Sequence, residues 1–303
     1  MANNNIIQNS PKAWLLAARP KTLSGAAVPV MIGTALAYTD SFGYQGDVFN
    51  WLPAILCFLF AFIMQINANF INDFFDYIKG TDNVETRLGP RRACAQGWIS
   101  IDAMKRAIAL TTCIACTVGL PLIFYGGLEM ILVGIICVVF CFLYTTHLSY
   151  MGFGDVLVVL FFGIVPVCIP YYIQLHTCTW QTFLASLACG IVIDALLIVN
   201  NYRDRDTDRD AGKQTIIVRW GAKAGQIIYL GTGITACLIG IIFWINGHVL
   251  AFVMPFIYLI MHYFTYLKIK RIDRGKALNM CLSDTARNIL IYGLTVTIGV
   301  ILV

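Results

Sequence analysis

Charge is scarce in this chain: Asp, Glu, Lys and Arg make up 12% of its 303 residues, against 59% hydrophobic. Ordinary soluble domains carry about twice that share of charge, and a mean hydropathy of +0.75 places the chain among integral membrane proteins. Histidine is rarer still, at four residues; His147 and His176 stand isolated and read as structural. No disulfide framework is expected, because the eleven cysteines are odd in number and nearly all lie inside apolar runs. Cys113-x-x-Cys116 falls mid-helix, where a small polarizable filler is expected in place of a redox or zinc site. Met1 to Ser10 is polar and Asn-rich with no basic n-region, so a cleaved leader is not expected. The basic residues are scattered over separate loops and form no stripe, which argues against nucleic-acid binding.

What is there is apolar length. Runs near 23–38, 51–71, 107–125, 129–146, 156–175, 180–200, 223–246, 248–267 and 288–303 approach the ~20 residues that a spanning helix needs. They predict an all-α polytopic membrane protein, one domain over 1–303, with about nine transmembrane helices around a central cavity. With the N-terminus in the cytoplasm, all 21 Lys and Arg fall on the cytoplasmic side, the bias that the positive-inside rule requires. The opposite face keeps Asp40, Asp47 and Glu129 and no basic residue.

Two acidic clusters break the apolar pattern. One is Asn72-Asp73-Phe74-Phe75-Asp76 with Asp82; the other is Asn201-Tyr202-Arg203-Asp204 with Asp206, Asp208 and Asp210. Each follows a long apolar helix and precedes a basic, Gly-containing loop, which suggests a pseudo-repeat of helices 1–4 and 5–8 with the clusters opposed across the cytoplasmic mouth. Asn69, Asn72, Asp73 and Asp76 are spaced i, i+3, i+4 and i+7, and Asn201, Asp204 and Asp208 repeat that spacing, so each set lines one helix face. Carboxylates facing lipid would cost a few kcal/mol each, roughly, so these faces look onto water or a ligand. Crowded carboxylates need cations, and hard oxygen donors suit Mg²⁺ holding a diphosphate. Lys79, Arg87 and Arg91 follow the first cluster, and Arg203, Lys213 and Arg219 surround the second; metal plus such cations neutralises a diphosphate leaving group. Asp194, inside an apolar run, is a functional candidate or a neutral carboxyl bonded to a neighbouring helix. Tyr171, Tyr172 and Gln174 read equally as interface residues and as cavity lining.

Further stretches carry a resemblance: Arg19-Pro-Lys-Thr-Leu23, Gln65 through Asp82 to Arg87-Leu-Gly-Pro-Arg91, Gly154-Asp155 through Gly163, Tyr171-Tyr-Ile-Gln174, and Asn200-Asn-Tyr-Arg-Asp204 through Ala211-Gly-Lys-Gln-Thr215 to Arg219. On these the chain resembles the UbiA superfamily of intramembrane aromatic prenyltransferases, within it the branch that acts on 1,4-dihydroxy-2-naphthoate. The resemblance implies a nine-helix bundle in a bacterial inner membrane, with Mg²⁺ held by Asp73, Asp76, Asp82, Asp204 and Asp208. Of these, Asp73, Asp76, Asp204 and Asp208 would be catalytic. Asn72, Lys21, Arg87, Arg91, Arg203, Lys213, Arg219 and Asn201 would contact the diphosphate of a polyprenyl donor or the acceptor. The implied reaction attaches the prenyl group at the ring carbon bearing the carboxylate, with loss of CO₂ and diphosphate, giving a demethylmenaquinol whose tail needs a lateral exit into membrane lipid. Ile169 and Pro170 depart from the Gly-Thr that family members often carry before the paired tyrosines.

Other readings compete. The metal motifs are shared with relatives acting on 4-hydroxybenzoate, homogentisate or a tetrapyrrole. CDP-alcohol phosphotransferases also use membrane Asp clusters, but their Asp-Gly-x-x-Ala-Arg block is absent here. A cation transporter would place its ligands near the bilayer midplane with access from both faces, whereas these clusters share one face.

Overall fold

The computed structural model describes residues 6–43, 49–80, 87–148 and 150–302. Helices are the only regular structure among them, as hydrocarbon demands: each backbone N–H and C=O must find its partner within its own segment. The long helices are α1 (Pro11–Ser41, broken by a tight turn at Pro20–Thr22), α2 (Trp51–Ile78), α3 (Ile101–Gly126), α4 (Glu129–Thr146) and α5 (Gly154–Leu175). They continue as α6 (Trp180–Asp210), α7 (Ile216–Ile245), α8 (Val249–Ile272) and α9 (Leu278–Ile301). The first eight are long and apolar enough to cross a bilayer. Helix α9 is not, because its first half carries Asn279, Ser283, Asp284, Arg287 and Asn288.

Each apolar run becomes a helix, and α2 and α6 outgrow theirs: α2 runs on to Ile78 and α6 to Asp210. Side-chain caps start five of the helices, with Ser10 and Ser100 capping α1 and α3. Asn50 accepts from Leu52 N at 3.0 Å, Thr179 from Thr182 N at 3.1 Å and Thr215 from Val218 N at 3.2 Å, each satisfying a first-turn donor that the helix cannot.

Helix α1 packs on α2, α5 and α9, α2 on α3, α5 on α6, α6 on α7 and α9, and α8 on α7 and α9. First and last helices therefore touch and close the bundle. Inside lies a cavity of about 970 Å³ walled by α1 to α6 and α9, while α7 and α8 contribute nothing to its lining and pack outside it. About nine helices around a central cavity are expected from the sequence; of the nine long helices among the described residues, seven wall it and two pack outside. Large apolar side chains such as Phe124, Ile227, Leu132 and Phe264 face outward, 59–89% exposed, as lipid contact allows and water would not.

Close helix approach depends on missing side chains. A Cβ on Gly163 of α5 would lie 2.6 Å from Gly190 Cα of α6, and a Cβ on Gly190 would lie 2.8 Å from the Val159 carbonyl; small residues let backbones meet where no hydrophobic force drives them together. Gly163→Ala should cost about 1–3 kcal/mol as overpacking, read as a lower thermal midpoint in detergent. Gly231→Ala, where nothing lies within 4 Å of the added methyl, should leave the midpoint unchanged.

Candidate functional site

One face of α2 enters the cavity with Gln65, Asn69, Asn72 and Asp76, and one face of α6 enters it with Asn200, Asn201, Asp204 and Asp208. Both sequence clusters therefore contribute to one chamber. Asn69 Nδ2 donates to Ala18 O and to Thr22 Oγ1, both at 3.0 Å, and Gln65 Nε2 donates to the same hydroxyl at 3.1 Å. These bonds pin α2 to the break in α1, where Arg19 adopts a left-handed backbone, φ 50°, at a cost on the order of 1 kcal/mol. The break turns Arg19 and Lys21 into the cavity wall. Asn72 Oδ1 accepts from Thr145 Oγ1, in a π-helical turn at the end of α4.

Every lining carboxylate meets a cation. Arg92 Nη2 lies 2.6 Å from Asp76, Lys213 Nζ lies 3.2 Å from Asp208, and the Arg203 guanidinium grips Asp204 through Nε and Nη2. Burial works to lower the Lys213 pKa, but Asp208 and then Asp76 act the other way and the net direction is upward. Asp76 of the first cluster thus stabilises a lysine belonging to the second. Among the described residues, no three His, Cys, Asp or Glu side chains gather about one point; the carboxylates are divided among basic partners.

The structure places several of the assigned residues away from the cavity lining. Asp73 does not line the cavity; it is 1% exposed, and its two oxygens accept from Ala93 N at 2.8 Å and Cys94 N at 2.9 Å. It holds the chain after residue 92 in place through those two bonds. Arg91 is exposed while its neighbour Arg92 faces inward, and Arg219 is exposed, donating to Met151 O at 3.2 Å. Arg203 is buried behind the wall. Arg87, Lys21, Lys213, Asn72 and Asn201 do line the cavity. Asp82 lies outside the described residues. Arg19, Arg92, Asn200 and Asn279 are site residues that sequence reasoning passed over. Arg19 carried a signal, since it opens the Arg19–Leu23 stretch; the others sit one residue from an assigned position or on a distant helix.

Away from the charges the wall is apolar. Leu120 on α3 and Ile131 and Ile135 on α4 line the cavity and are also 58%, 43% and 54% exposed, so the chamber reaches the lipid-facing surface between these helices. Ile169 and Pro170 lie in the wall. Tyr171 is instead fully buried in the core and donates to Asp40 at 2.7 Å, and Gln174 bonds the backbone of Asn50; neither lines the cavity. Asp194 is buried off the wall, and its Oδ1 has no hydrogen-bond partner.

The cavity thus joins a polar end, with opposed acidic helices and converging cations, to a long apolar slot. The model of the UbiA prenyltransferase family matches residues 26–282. The chain belongs to the UbiA prenyltransferase family. Curated UbiA relatives include 1,4-dihydroxy-2-naphthoate octaprenyltransferases from Escherichia coli, 37% identical over 69% of each chain, and from Haemophilus influenzae, 35% identical over 76% of each. Among solved structures, the fold is shared with an apo UbiA homolog from Aeropyrum pernix, TM-score 0.71 at 13% identity, covering 94% of this chain and 98% of that one. It is shared too with a UbiA homolog from Archaeoglobus fulgidus bound to GPP and Mg²⁺, TM-score 0.67 at 14% identity, covering 96% and 100%. As a UbiA member with eight apolar spans among the described residues, the protein is an integral membrane transferase.

Asp73→Ala would leave two buried backbone donors unsatisfied, at about 1–3 kcal/mol each. The thermal midpoint should fall, and amide exchange at Ala93 and Cys94 should accelerate while exchange in α6 does not.

Proposed function

We propose that this UbiA protein transfers a polyprenyl group from a polyprenyl diphosphate to 1,4-dihydroxy-2-naphthoate, releasing diphosphate and CO₂ and forming a demethylmenaquinol. The observation that carries the reading is the split character of one cavity, with Asp76, Asp204, Asp208, Arg19, Lys21, Arg87, Arg92 and Lys213 at one end and an apolar slot open to lipid at the other. The curated relatives' names point to the naphthoate acceptor.

Asn72, Asp76, Asp204 and Asp208 bring oxygen donors of the kind Mg²⁺ takes to one cavity; the ion, when bound there, would supply electrostatic neutralisation of the leaving diphosphate. The chain's own cations do the rest at that end. Arg19 Nη2 is buried without a hydrogen-bond partner, a donor that an incoming phosphate oxygen would satisfy, and Lys21, Arg87 and Lys213 add charge where negative charge develops. As the C1–O bond breaks, its electron pair leaves with the diphosphate and an allylic cation remains. The apolar wall, including Phe161 and Phe162, keeps water from capturing it. The ring carbon bearing the carboxylate then attacks C1. Loss of CO₂ returns the electron pair of the ring–carboxylate bond to the ring, so no base has to remove a proton from that carbon. The tail lies between Leu120, Ile131 and Ile135 and continues into lipid. The acidic end belongs on the cytoplasmic side of a bacterial inner membrane, where the Lys and Arg bias puts it, and the two acidic helices hold equivalent places in a pseudo-repeat.

Purified protein given labelled polyprenyl diphosphate, Mg²⁺ and dihydroxynaphthoate should yield lipid-soluble product and CO₂ in equal amounts. Chelating the metal should stop both. Prenylated product without CO₂ would reassign the acceptor to another aromatic ring, such as 4-hydroxybenzoate. Asp76→Ala and Asp208→Ala should each lower turnover by roughly 100-fold or more, the scale of a lost electrostatic group at a developing charge, with the protein still inserted in the membrane.

A further inference from the structure

Asn279 opens the first turn of α9, remote in sequence from both acidic clusters, and its side chain bonds two separate parts of the chain. Its Oδ1 accepts from Arg203 Nη1 at 2.8 Å, and its Nδ2 donates to the Leu88 carbonyl at 2.8 Å. Chemistry fixes this orientation, because only the amide oxygen can face a guanidinium and only the amide nitrogen can face a carbonyl. Arg203 is the hub: its side chain is 1% exposed, and besides Asn279 it bonds Asn200 Oδ1 at 2.7 Å and both oxygens of Asp204.

The strap of chain at 87–92 lies directly on that hub. A Cβ on Gly89 would come within 2.7 Å of Arg203 Nη2, so only glycine lets the backbone approach so closely. On either side of Leu88 and Gly89, Arg87 and Arg92 line the cavity, and Arg92 holds Asp76. Arg87 Nε closes the strap on itself through Pro90 O at 2.7 Å.

We propose that Asn279 is a positioning residue that locks the 87–92 strap onto Arg203, so that Arg87 and Arg92 from the first cluster and Asp204 from the second are held at one fixed separation around the anionic head of the polyprenyl diphosphate. This rests on the assignment of the polar end to a diphosphate. The device is a single amide whose two ends read two different halves of the site. Without it, Arg203 keeps Asp204 and Asn200, while the strap loses the bond from α9 to the Leu88 carbonyl. The defect should therefore appear in capture of the prenyl diphosphate and not in handling of the aromatic acceptor.

The test uses the full chain in detergent micelles, with two readouts: trypsin cleavage after the exposed Arg91, located by mass spectrometry, and steady-state kinetics for each substrate. In Asn279→Ala, cleavage after Arg91 should quicken and KM for the prenyl diphosphate should rise, each by roughly tenfold, as expected for loss of a buried hydrogen bond to a charged group. KM for the acceptor should stay within about twofold, since the residues this bond holds are the ones assigned to the diphosphate. Asn279→Asp retains the acceptor for Arg203 but sets an oxygen against the Leu88 carbonyl, and should free the strap just as well. Gly89→Ala pushes the strap off the same guanidinium without altering α9, and should reproduce both changes should the Asn279 variants fail to fold. Wild-type cleavage and wild-type KM for the prenyl diphosphate in these variants would overturn the proposal. So would a parallel shift of both KM values with the thermal midpoint, which is the mark of general destabilisation. If the wild type transfers no prenyl group at all, the functional reading falls, and the cleavage rates still decide whether Asn279 holds the strap.

Discussion

Neutralising carboxylates inside an apolar bundle is the constraint on which everything else in this protein depends. Charge removed from water costs several kcal/mol per ion, roughly, unless a partner is in hydrogen-bond contact. Asp76, Asp204 and Asp208 each have one, in Arg92, Arg203 and Lys213. The partners come from the chain just after each acidic helix or from that helix itself, so the two connections at 87–92 and 211–215 must fold back over the cavity. Their path is a consequence of the charges they carry.

From this follows the division of the chamber. Polar side chains collect where α2 and α6 extend past their apolar runs, and the remaining wall is hydrocarbon from α1, α3, α4 and α5. An amphiphile with an anionic head and a long apolar tail matches both halves at once, with its tail leaving between α3 and α4. Helices α7 and α8 take no part in the wall. They pack against α6 and α9 from outside: Gln226 Nε2 of α7 donates to Tyr202 of α6 at 2.8 Å, Tyr229 of α7 meets Thr285 of α9 at 2.9 Å, and His262 Nε2 of α8 meets Tyr229 O at 2.7 Å.

The apolar runs predicted the helices closely, because within hydrocarbon the backbone has one way to satisfy itself and length follows from thickness. Helical spacing also predicted that Asn72 and Asp76 share a face with Asn69, and that Asn201, Asp204 and Asp208 share another. It did not separate Asp73 from them. A residue at i+4 from Asn69 lies at the edge of that stripe, and whether it faces the cavity or the neighbouring chain depends on which backbone donors arrive there; Ala93 N and Cys94 N do. In the same way Arg91 and Arg92 are equivalent as sequence. Their connection has no period, so nothing local says which of the two turns inward.

Read alone, the amino-acid order determines the membrane-spanning helices and the acid-bearing faces of two of them, since each of these is a matter of composition or of a repeat a few residues long. Tertiary structure decided which carboxylates line the chamber, which arginine meets each, and that Asn279 ties Leu88 to Arg203 across 191 positions of chain. The reason is physical: an ion pair or an amide bridge acts over about 3 Å, and which groups come that close is settled only when distant helices pack.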